Sequence, residues 1–312
     1  MKELYRTIIK TILFPVSYLR GKMIYQRFIK TARRGEYLFV FNNAIGEVVF
    51  SCGYIPALLR QNKVTHSIAM VNVRLEGVVK CYPIFDEVVV LSNRDIRCLC
   101  VYLDDKNSER MRAYNSIWSS KQQRQRADNP LLYKKGENRL AKVYADYFNV
   151  DWKSNITHPI VKDIDDLTFE LNHLTKGKTV VLNSKANTCK MCSDKFWINL
   201  AHKLADRGYL IVFNGEPDYD TEEFLKIRPE LDEISAVVNF CGSCISIQCG
   251  LSDLLVESGC CVHVVFNENI GDTNYERHSS SGGPYTIPKM YINRGNEEDK
   301  IIEDILLNYD YL

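Results

Sequence analysis

The sequence feature that most constrains the fold is an alternation of short apolar runs with amphipathic segments, which occurs twice along the chain. Continuous apolar runs between turns are typical of strands buried on both faces of a parallel sheet. Strands that alternate with helices predict right-handed crossovers and an α/β fold. The predicted strands are residues 37–41, 67–71 and 87–91 in the first set, and 179–182, 209–213, 236–238, 244–247 and 262–266 in the second.

Helical spacing of apolar residues predicts seven helices around these strands, at 47–60, 75–81, 138–148, 196–207, 220–227, 251–258 and 297–307. A chain of 312 residues is long for a single core, so the two sets predict two domains. We divide the chain into a basic segment (1–35), an N-terminal domain (36–160) and a C-terminal domain (161–312). A ligand cleft is expected between the carboxyl ends of the two sheets.

The first 35 residues carry nine lysines and arginines but a single acid, Glu3. Apolar residues recur between them at helical spacing, which predicts a basic amphipathic helix. Such a helix can lie on an anionic membrane surface. The alternative is a helix that packs on the body of the protein with its charges in water. Pro15 is expected to break the helix and to limit its apolar stripe.

The compartment and partners follow from hydropathy, cysteine count and charge. No apolar run is long enough to cross a bilayer, and no small-residue cleavage site follows the apolar stretch 8–19. The 11 cysteines are an odd number in a long chain, unlike a secreted disulfide framework. We therefore expect a cytoplasmic protein, peripheral on the inner face of the plasma membrane if residues 1–35 bind lipid. The net charge of +1 predicts no nucleic-acid partner.

Two cysteine pairs have the spacing of metal ligands, Cys189/Cys192 and Cys241/Cys244. The two pairs lie much further apart than the knuckles of a zinc ribbon, and the second lies in an apolar, strand-like stretch. Buried reduced thiols are therefore the favoured interpretation, with zinc as the alternative. We expect neither a metal nor a cofactor.

The first candidate site follows the first predicted strand, in the stretch Ala44-Ile-Gly46-Glu47. Gly46 permits a tight turn, and Glu47 then lies at a helix N-terminus that faces the cleft. A carboxylate there could accept a proton from an attacking hydroxyl. The alternative is that Glu47 only complements the helix dipole.

Two further candidate sites lie in the C-terminal domain. The polar loop Asn183 to Lys190 carries Lys185 and Lys190, which could each neutralise a diphosphate, unless it is an ordinary surface loop. The turn Gln248 to Asp253 joins a strand to a helix, and free N–H groups at a helix start bind anions. Ser252 can cap that helix or donate to a ligand. The glycine-rich motifs of nicotinamide dehydrogenases and P-loop kinases are missing, as is the nucleophile elbow of hydrolases.

In order and spacing, these motifs resemble those of the lipopolysaccharide heptosyltransferases, glycosyltransferase family 9. Val40-Phe-Asn-Asn-Ala-Ile-Gly-Glu47 and Pro56-Ala-Leu-Leu59 look like the family's first strand, Ala-Ile-Gly-Asp turn and helix. Residues 82–89, Tyr-Pro-Ile-Phe-Asp-Glu-Val-Val, are similar to its P-x-x-D-x-V. Lys190 looks like the lysine before its W-x-x-L helix. Residues 246–254 are similar to its S-x-D-[ST]-G-x-x-H-L motif.

The resemblance spans roughly residues 37–310 and implies the GT-B fold, in which two Rossmann-like domains face a central cleft. It implies an inverting sugar transfer with Glu47 as general base, because the family has an Asp there. The donor-binding residues that the resemblance and the loops together indicate are Asn183, Lys190, Cys249, Gly250, Leu251 and Ser252. The expected partners are a nucleotide-sugar donor and an envelope or lipid-linked glycan acceptor, as in lipopolysaccharide or other polysaccharide biosynthesis.

Three residues depart from the family pattern, and they leave other functions open. Glu47 replaces an Asp, Gln248 replaces the Asp of the last motif and Asp253 replaces its His. A donor other than ADP-heptose is one consequence. A sugar-nucleotide epimerase of the same fold is an alternative enzyme. A non-catalytic relative that binds a sugar nucleotide or a partner protein is the third interpretation.

Overall fold

A computed structural model describes residues 2–29, 36–41, 44–105, 140–151, 153–186, 191–268, 286–294 and 297–309. The chain forms two compact units. The first comprises Met1–Ala44, Ser51–Glu137 and Val143–Thr157, and the second comprises Ile45–Phe50, Asn138–Lys142 and His158–Leu312. In the described part of the chain, no helix is both long enough and apolar enough to span a membrane.

The first unit contains a three-stranded parallel sheet in the order β1-β2-β3. Its strands are Glu36–Phe41 (β1), His66–Asn72 (β2) and Glu87–Leu91 (β3). Its helices are Lys2–Ile29 (α1), Ile45–Gln61 (α2), Val73–Lys80 (α3), Asn93–Asp105 (α4) and Leu140–Phe148 (α5). The division places the first residues of α2, Ile45–Phe50, with the second unit. The alternation of strand and helix predicted for this region is confirmed.

The second unit contains a six-stranded sheet, parallel throughout, in the order β6-β5-β4-β7-β8-β9. Its strands are Thr179–Asn183 (β4), Leu210–Asn214 (β5), Leu225–Ile227 (β6), Gly242–Ile247 (β7), Val262–Glu268 (β8) and Lys289–Arg294 (β9). Its helices are Asp194–Ala205 (α6), Ile234–Cys241 (α7), Gly250–Glu257 (α8) and Glu298–Tyr309 (α9), with a 3₁₀ turn at Ile164–Asp166. Renumbered within the unit, the order is 3-2-1-4-5-6, that of a doubly wound nucleotide-binding sheet.

The core of this second sheet explains why the predicted helices form where they do. Ser193 caps the N-terminus of helix α6, because its side chain accepts a hydrogen bond from the backbone N–H of Phe196. The helix then buries Phe196, Trp197 and Leu200 against β4 and β5, together with residues of α9. Gly208, with a φ of 86°, lies just beyond it, in the left-handed conformation that commonly follows a helix end.

The prediction that Pro15 breaks the N-terminal helix is wrong. Helix α1 runs without interruption from Lys2 to Ile29 with Pro15 inside it. A proline in a helix interior costs about 3 kcal/mol relative to alanine. Packing against α4 offsets that cost, because Gly21, Tyr18 and Tyr25 all contact α4.

Two predictions in the C-terminal region are also wrong. Residues 236–238 were expected to form a strand but lie in α7, whose residues 234–238 are all buried. A segment that is apolar on all sides has no periodicity that separates a helix from a strand. Residues 220–227, expected to be helical, end in the short strand β6. Strand β9 was not predicted, because it is half-buried and its apolar residues alternate instead of forming a run.

Candidate functional site

The candidate site of the second unit lies where the strand order of its sheet reverses. Strands β4 and β7 are hydrogen-bonded neighbours, with Asn183 opposite Ser246 at their carboxyl ends. The chain leaves β4 toward one edge of the sheet and β7 toward the other. Loops that diverge in this way open a crevice at the carboxyl ends, where ligands of open α/β sheets bind. Two candidate segments, the loop after Asn183 and the turn before α8, start here.

A buried amide fixes the carboxyl ends of three strands in this place. The Nδ2 of Asn183 donates hydrogen bonds to Ser246 Oγ at 2.8 Å and to Cys249 Sγ at 3.3 Å. The Nδ2 of Asn214, at the end of β5, donates to Asn183 Oδ1 at 3.3 Å. Asn183 is only 5% exposed. Its amide is therefore used within the protein, and what it holds in place is the turn that leads into α8.

The backbone N–H groups at the turn into α8 have two side-chain acceptors, the Ser252 hydroxyl and the Cys249 thiol. The backbone N–H of Cys249 donates to Ser252 Oγ at 3.1 Å, and that hydroxyl donates to the Cys249 carbonyl at 2.6 Å. Burial raises the pKa of the Cys249 thiol, and hydrogen bonds from the backbone N–H groups of Ser252 and Leu251 oppose that shift. A neutral thiol is a weak acceptor. The helix start is therefore capped by a group that an anion can readily replace.

The turn that carries Glu47 packs directly on this helix start. A Cβ atom on Gly250 would lie 2.3 Å from the backbone nitrogen of Gly46 and 2.8 Å from the Cβ of Ile45. A Cβ atom on Gly46 would lie 2.2 Å from Asp253 Oδ2 and 3.2 Å from the Cα of Gly250. The contact at Gly250 involves backbone atoms and requires glycine, whereas a side chain at Gly46 would require the Asp253 side chain to move. Glu47 follows Gly46 in the first turn of α2, and its side chain is half-buried.

Two carboxyl groups one turn apart on α8 have pKa values far above the ordinary range. Desolvation by burial raises the pKa of Asp253 to about 7. Burial also raises the pKa of Glu257 to about 8; the charge of Asp253 adds to the shift, and a hydrogen bond from the Thr286 N–H opposes it. The other Glu257 oxygen lies 3.1 Å from His158 Nδ1. Burial therefore favours the protonated form of both carboxyl groups on the flank of α8 beside Gly46, and a protonated carboxyl group can donate a hydrogen bond.

The structure places none of the other predicted site residues, the two lysines and the paired cysteines, in the described turn at the start of α8. Lys190 and Cys189 lie outside the described residues. The Nζ of Lys185 pairs with Asp218 at 2.6 Å, and both side chains reach solvent. Cys192, Cys241 and Cys244 are buried, free thiols. Within the ranges that the structure describes, no three His, Cys, Asp or Glu side chains are grouped so that they could hold a metal ion.

Sequence reasoning missed how Asp253 and Glu257 are used. Asp253 was noted as a departure from a family motif, but its contact with Gly46 joins segments about 200 residues apart, which no local pattern reveals. A signal for both was present, because two acids at i and i+4 interrupt the otherwise apolar helix Leu251-Ser-Asp-Leu-Leu-Val-Glu257. Acids on a helix face that must be buried are candidates for function.

Comparisons with known proteins by sequence find nothing similar. No family model matches the chain, and no curated protein matches it. Solved structures with the same fold are found by shape.

Three of these structures illustrate the similarity. The ADP-heptose lipopolysaccharide heptosyltransferase II of E. coli has a TM-score of 0.59 and 12% identity, over 89% of this chain and 99% of that one. A family 9 glycosyl transferase from Veillonella parvula DSM 2008 has a TM-score of 0.56 and 16% identity, over 88% and 98%. The E. coli heptosyltransferase WaaC with ADP has a TM-score of 0.53 and 14% identity, over 88% and 99%. The structural neighbours are thus family 9 glycosyltransferases, and at these identities they show that the fold is shared.

Proposed function

We propose that the chain is a GT-B glycosyltransferase that moves a sugar from a nucleotide-sugar donor to an envelope or lipid-linked glycan, with inversion at the anomeric carbon. One observation carries the proposal: the Gly46–Gly250 contact brings the turn with the candidate base against the candidate diphosphate site. The fold shared with family 9 glycosyltransferases supports the same class of reaction. In this proposal residues 36–160 bind the acceptor and residues 161–312 bind the donor.

The donor diphosphate would bind at the start of α8. The backbone N–H groups of Cys249, Gly250 and Leu251 would donate hydrogen bonds to the diphosphate oxygens, with the hydroxyl of Ser252 beside them. Lys190 would supply a positive charge, and Asn183 would keep the turn in place through its bonds to Ser246 and Cys249. Charge develops on the diphosphate as it departs, so donors already fixed in that position lower the barrier.

Glu47 would act as the general base. The acceptor hydroxyl oxygen forms a bond to the anomeric carbon, the bond from that carbon to the phosphate oxygen breaks, and the hydroxyl proton passes to the Glu47 carboxylate. The nucleoside diphosphate leaves with the bonding electron pair. Attack opposite the leaving group inverts the configuration. No metal has a role in this scheme, because backbone dipoles and lysine neutralise the departing charge.

The acceptor would be reached at the inner face of the plasma membrane, with residues 1–35 in contact with lipid. The basic character of this segment and its helical conformation support that location. The closing of the two domains on bound donor would exclude water from the reaction.

The donor is tested first by thermal denaturation with ADP, UDP and GDP and their sugar derivatives. ADP-heptose is the first donor to try, because one neighbour is named for it. A ligand that binds only the native state raises the melting temperature by mass action. We expect a shift with one nucleotide class that is lost in Lys190→Ala. No shift with any nucleotide would contradict the donor site.

The base is tested with Glu47→Gln. Turnover should fall by about 10²- to 10⁴-fold, the usual contribution of a general base, while nucleotide affinity stays unchanged. The matched control is Glu76→Gln, since Glu76 also lies in the first turn of a helix. If Glu47 only complemented a helix dipole, the two variants would behave alike, and that outcome would remove the catalytic role.

Product analysis separates the alternatives. A transferase releases nucleoside diphosphate only when acceptor is present, whereas an epimerase alters the donor sugar without acceptor. A non-catalytic relative binds nucleotide and does neither. Gln248 and Asp253 are the residues that distinguish this chain from the family pattern near the donor, so Asp253→His is the variant to examine if turnover is not found.

A further inference from the structure

One face of helix α1 packs on α4 of the first unit. Tyr18 and Tyr25 each pack on Tyr102 of α4, with ring centroids 5.2 Å apart in both pairs. Between them, a Cβ on Gly21 would lie 2.0 Å from the carbonyl oxygen of Cys98, so the two helix backbones touch. The helix is thus an integral part of the unit from this point, and its rotation about its own axis is set.

That fixed rotation leaves an apolar face of α1 in solvent. Val16, Leu19 and Met23 follow one another at helical spacing, with exposures of 53%, 58% and 69%. With Phe14, at 49%, they make four of the twelve large apolar side chains that are exposed in the described part of the chain. A cluster of this kind within ten residues marks an interaction surface, unlike single exposed apolar residues.

The exposed face forms one wall of a groove. The groove has a volume of about 590 Å³ and its apolar lining is Val16, Leu19, Met23, Ile24 and Leu91. This volume falls within the range of small-molecule sites, roughly 300–1,000 Å³. The groove is partly open to solvent, so a flexible chain can enter it from outside.

The charges on the groove favour an anion. Three arginines and one acid line it, Arg20, Arg27, Arg94 and Asp95, with a net charge of +2. The Nε of Arg20 is paired with Asp95 at 2.5 Å, which leaves its terminal N–H groups for another acceptor. Arg27 and Arg94 are both exposed. Guanidinium groups beside an apolar slot match a phosphate that carries alkyl chains.

The geometry points to a binding site for one anionic phospholipid of a bilayer: an acyl chain lies in the groove between α1 and α4, and the phosphate lies on Arg27 and Arg94. This inference deepens the proposed function, since it defines how residues 1–35 meet the membrane. Adsorption of a basic helix to a membrane depends only on its net charge. Binding in this site also depends on the apolar side chains of Leu19 and Met23 and on two particular arginines, Arg27 and Arg94. The two interpretations therefore respond differently to substitution.

The site is tested with the full chain and sedimenting vesicles of phosphatidylcholine, alone or mixed equally with phosphatidylglycerol. Binding should require phosphatidylglycerol. The double variant Leu19→Ser, Met23→Ser, which leaves the net charge unchanged, should lose about ten-fold or more in partitioning, because it removes the burial of two apolar side chains. Arg27→Gln and Arg94→Gln should each lose about five-fold, the contribution of one cation near an anionic leaflet.

The matched control is Leu307→Ser, since Leu307 is 62% exposed on α9 and lies far along the chain from the groove. It should bind vesicles as the unchanged protein does. Equal losses in Leu307→Ser and the groove variants, or binding to phosphatidylcholine alone, would overturn the site. Melting curves confirm that each variant is folded.

A second measurement places the acyl chain. Met23→Trp should be quenched by phospholipids brominated in their chains, and Leu307→Trp should not. Vesicle binding without quenching of Met23→Trp would mean that another surface meets the bilayer, and would overturn the groove. The thermal shift that a nucleotide causes in the same variants measures the donor site in the second unit. Absence of vesicle binding by the unchanged protein with the nucleotide shift retained contradicts only the lipid site, and absence of the nucleotide shift alone contradicts only the donor site.

Discussion

Two glycine contacts, one in each unit, use the same packing device for different ends. In the first unit Gly21 lets α1 touch the backbone of α4 at Cys98. In the second unit Gly250 lets α8 touch the backbone at Gly46. The first contact is surrounded by tyrosine rings and fixes a helix. The second is surrounded by Asp253, Cys249 and Ser252 and fixes the start of a helix where the Cys249 thiol accepts hydrogen bonds from the N–H groups of Leu251 and Ser252.

The carboxyl groups beside the two contacts show the same contrast. Asp95 pairs with Arg20 near the first, and the hydrogen bond from Arg20 lowers its pKa. Asp253 lies against the second, and burial raises its pKa to about 7. At the first contact, the charge of Asp95 is paired with Arg20 near the surface. At the second contact, in the candidate site, burial disfavours ionisation of the Asp253 carboxyl group. Perturbed values of this second kind are typical of functional sites.

The largest effect is expected from Gly250→Ala compared with Gly21→Ala. In both, the new methyl group meets backbone atoms that cannot move aside, so each should destabilise the protein by about 1–3 kcal/mol. Helix propensity alone predicts the opposite sign, a gain of about 0.5–1 kcal/mol. Only Gly250→Ala should also reduce turnover, by about 10²-fold, because it displaces the proposed base from the donor. Urea denaturation and sugar transfer measure the two quantities.

A compensating pair sharpens this comparison. In Gly46→Ala the obstructing atom is the Asp253 side-chain oxygen, so Gly46→Ala with Asp253→Ala should recover much of the stability that Gly46→Ala loses. No such rescue is available for Gly21, whose neighbour is a backbone carbonyl. Strict additivity of the Gly46 and Asp253 substitutions would contradict the contact.

The next effect is a pH dependence of stability that originates in α8. The pKa of Asp253 is about 7 in the folded protein against an ordinary value of 3.8, and that of Glu257 is about 8 against 4.5. The folded state therefore holds these protons more tightly, and their contribution is complete below about pH 4 and is lost as the pH rises to about 8. Asp253→Asn should flatten this decline. Denaturation midpoints at pH 5 and pH 8 measure it, and a decline unchanged in Asp253→Asn would exclude Asp253 as its source.

The smallest effect is expected from Asp95→Asn. Its pKa is lowered by Arg20, so the pair stabilises the fold above the ordinary pKa of Asp95 and the contribution is lost as the pH falls. The two side chains are 42% and 23% exposed, and exposed ion pairs contribute little. The change in midpoint at pH 7 should be small and should disappear at low pH. A large change at every pH would indicate that Asp95 acts through packing instead.

The predicted elements show where local pattern was sufficient. Buried runs such as 179–182 and 262–266 were located almost to the residue, because a strand covered on both faces must be continuously apolar. The strand predicted at residues 236–238 was wrong for the same reason, because a buried helix is also continuously apolar. Helix α7 ends at Cys241 and β7 begins at the next residue, Gly242. The φ of 116° at Gly242 makes this junction possible, and the apolar pattern does not predict it.

The candidate site divides in the same way. Glu47, Cys249, Gly250, Leu251 and Ser252 were indicated by sequence, because a strand that ends in a glycine turn before a helix is a local motif. Asn183 was expected to bind the donor, which stays a prediction, and its bonds to Ser246 and Cys249 show that it also supports the turn. Its partners lie more than sixty residues away, so only the fold identifies them.

The sequence by itself determined the α/β class, the order of most elements and the turns that carry the candidate chemistry, because these depend on periodicity and on residues close together in the chain. Tertiary structure alone decided that α1 continues through Pro15, that Gly46 meets Gly250, and that a half-buried Asp253 and a buried Glu257 lie on the same helix as Gly250. Each of these depends on which distant surfaces pack together. Packing is what offsets the cost of a proline, demands a glycine and raises the pKa of a carboxyl group.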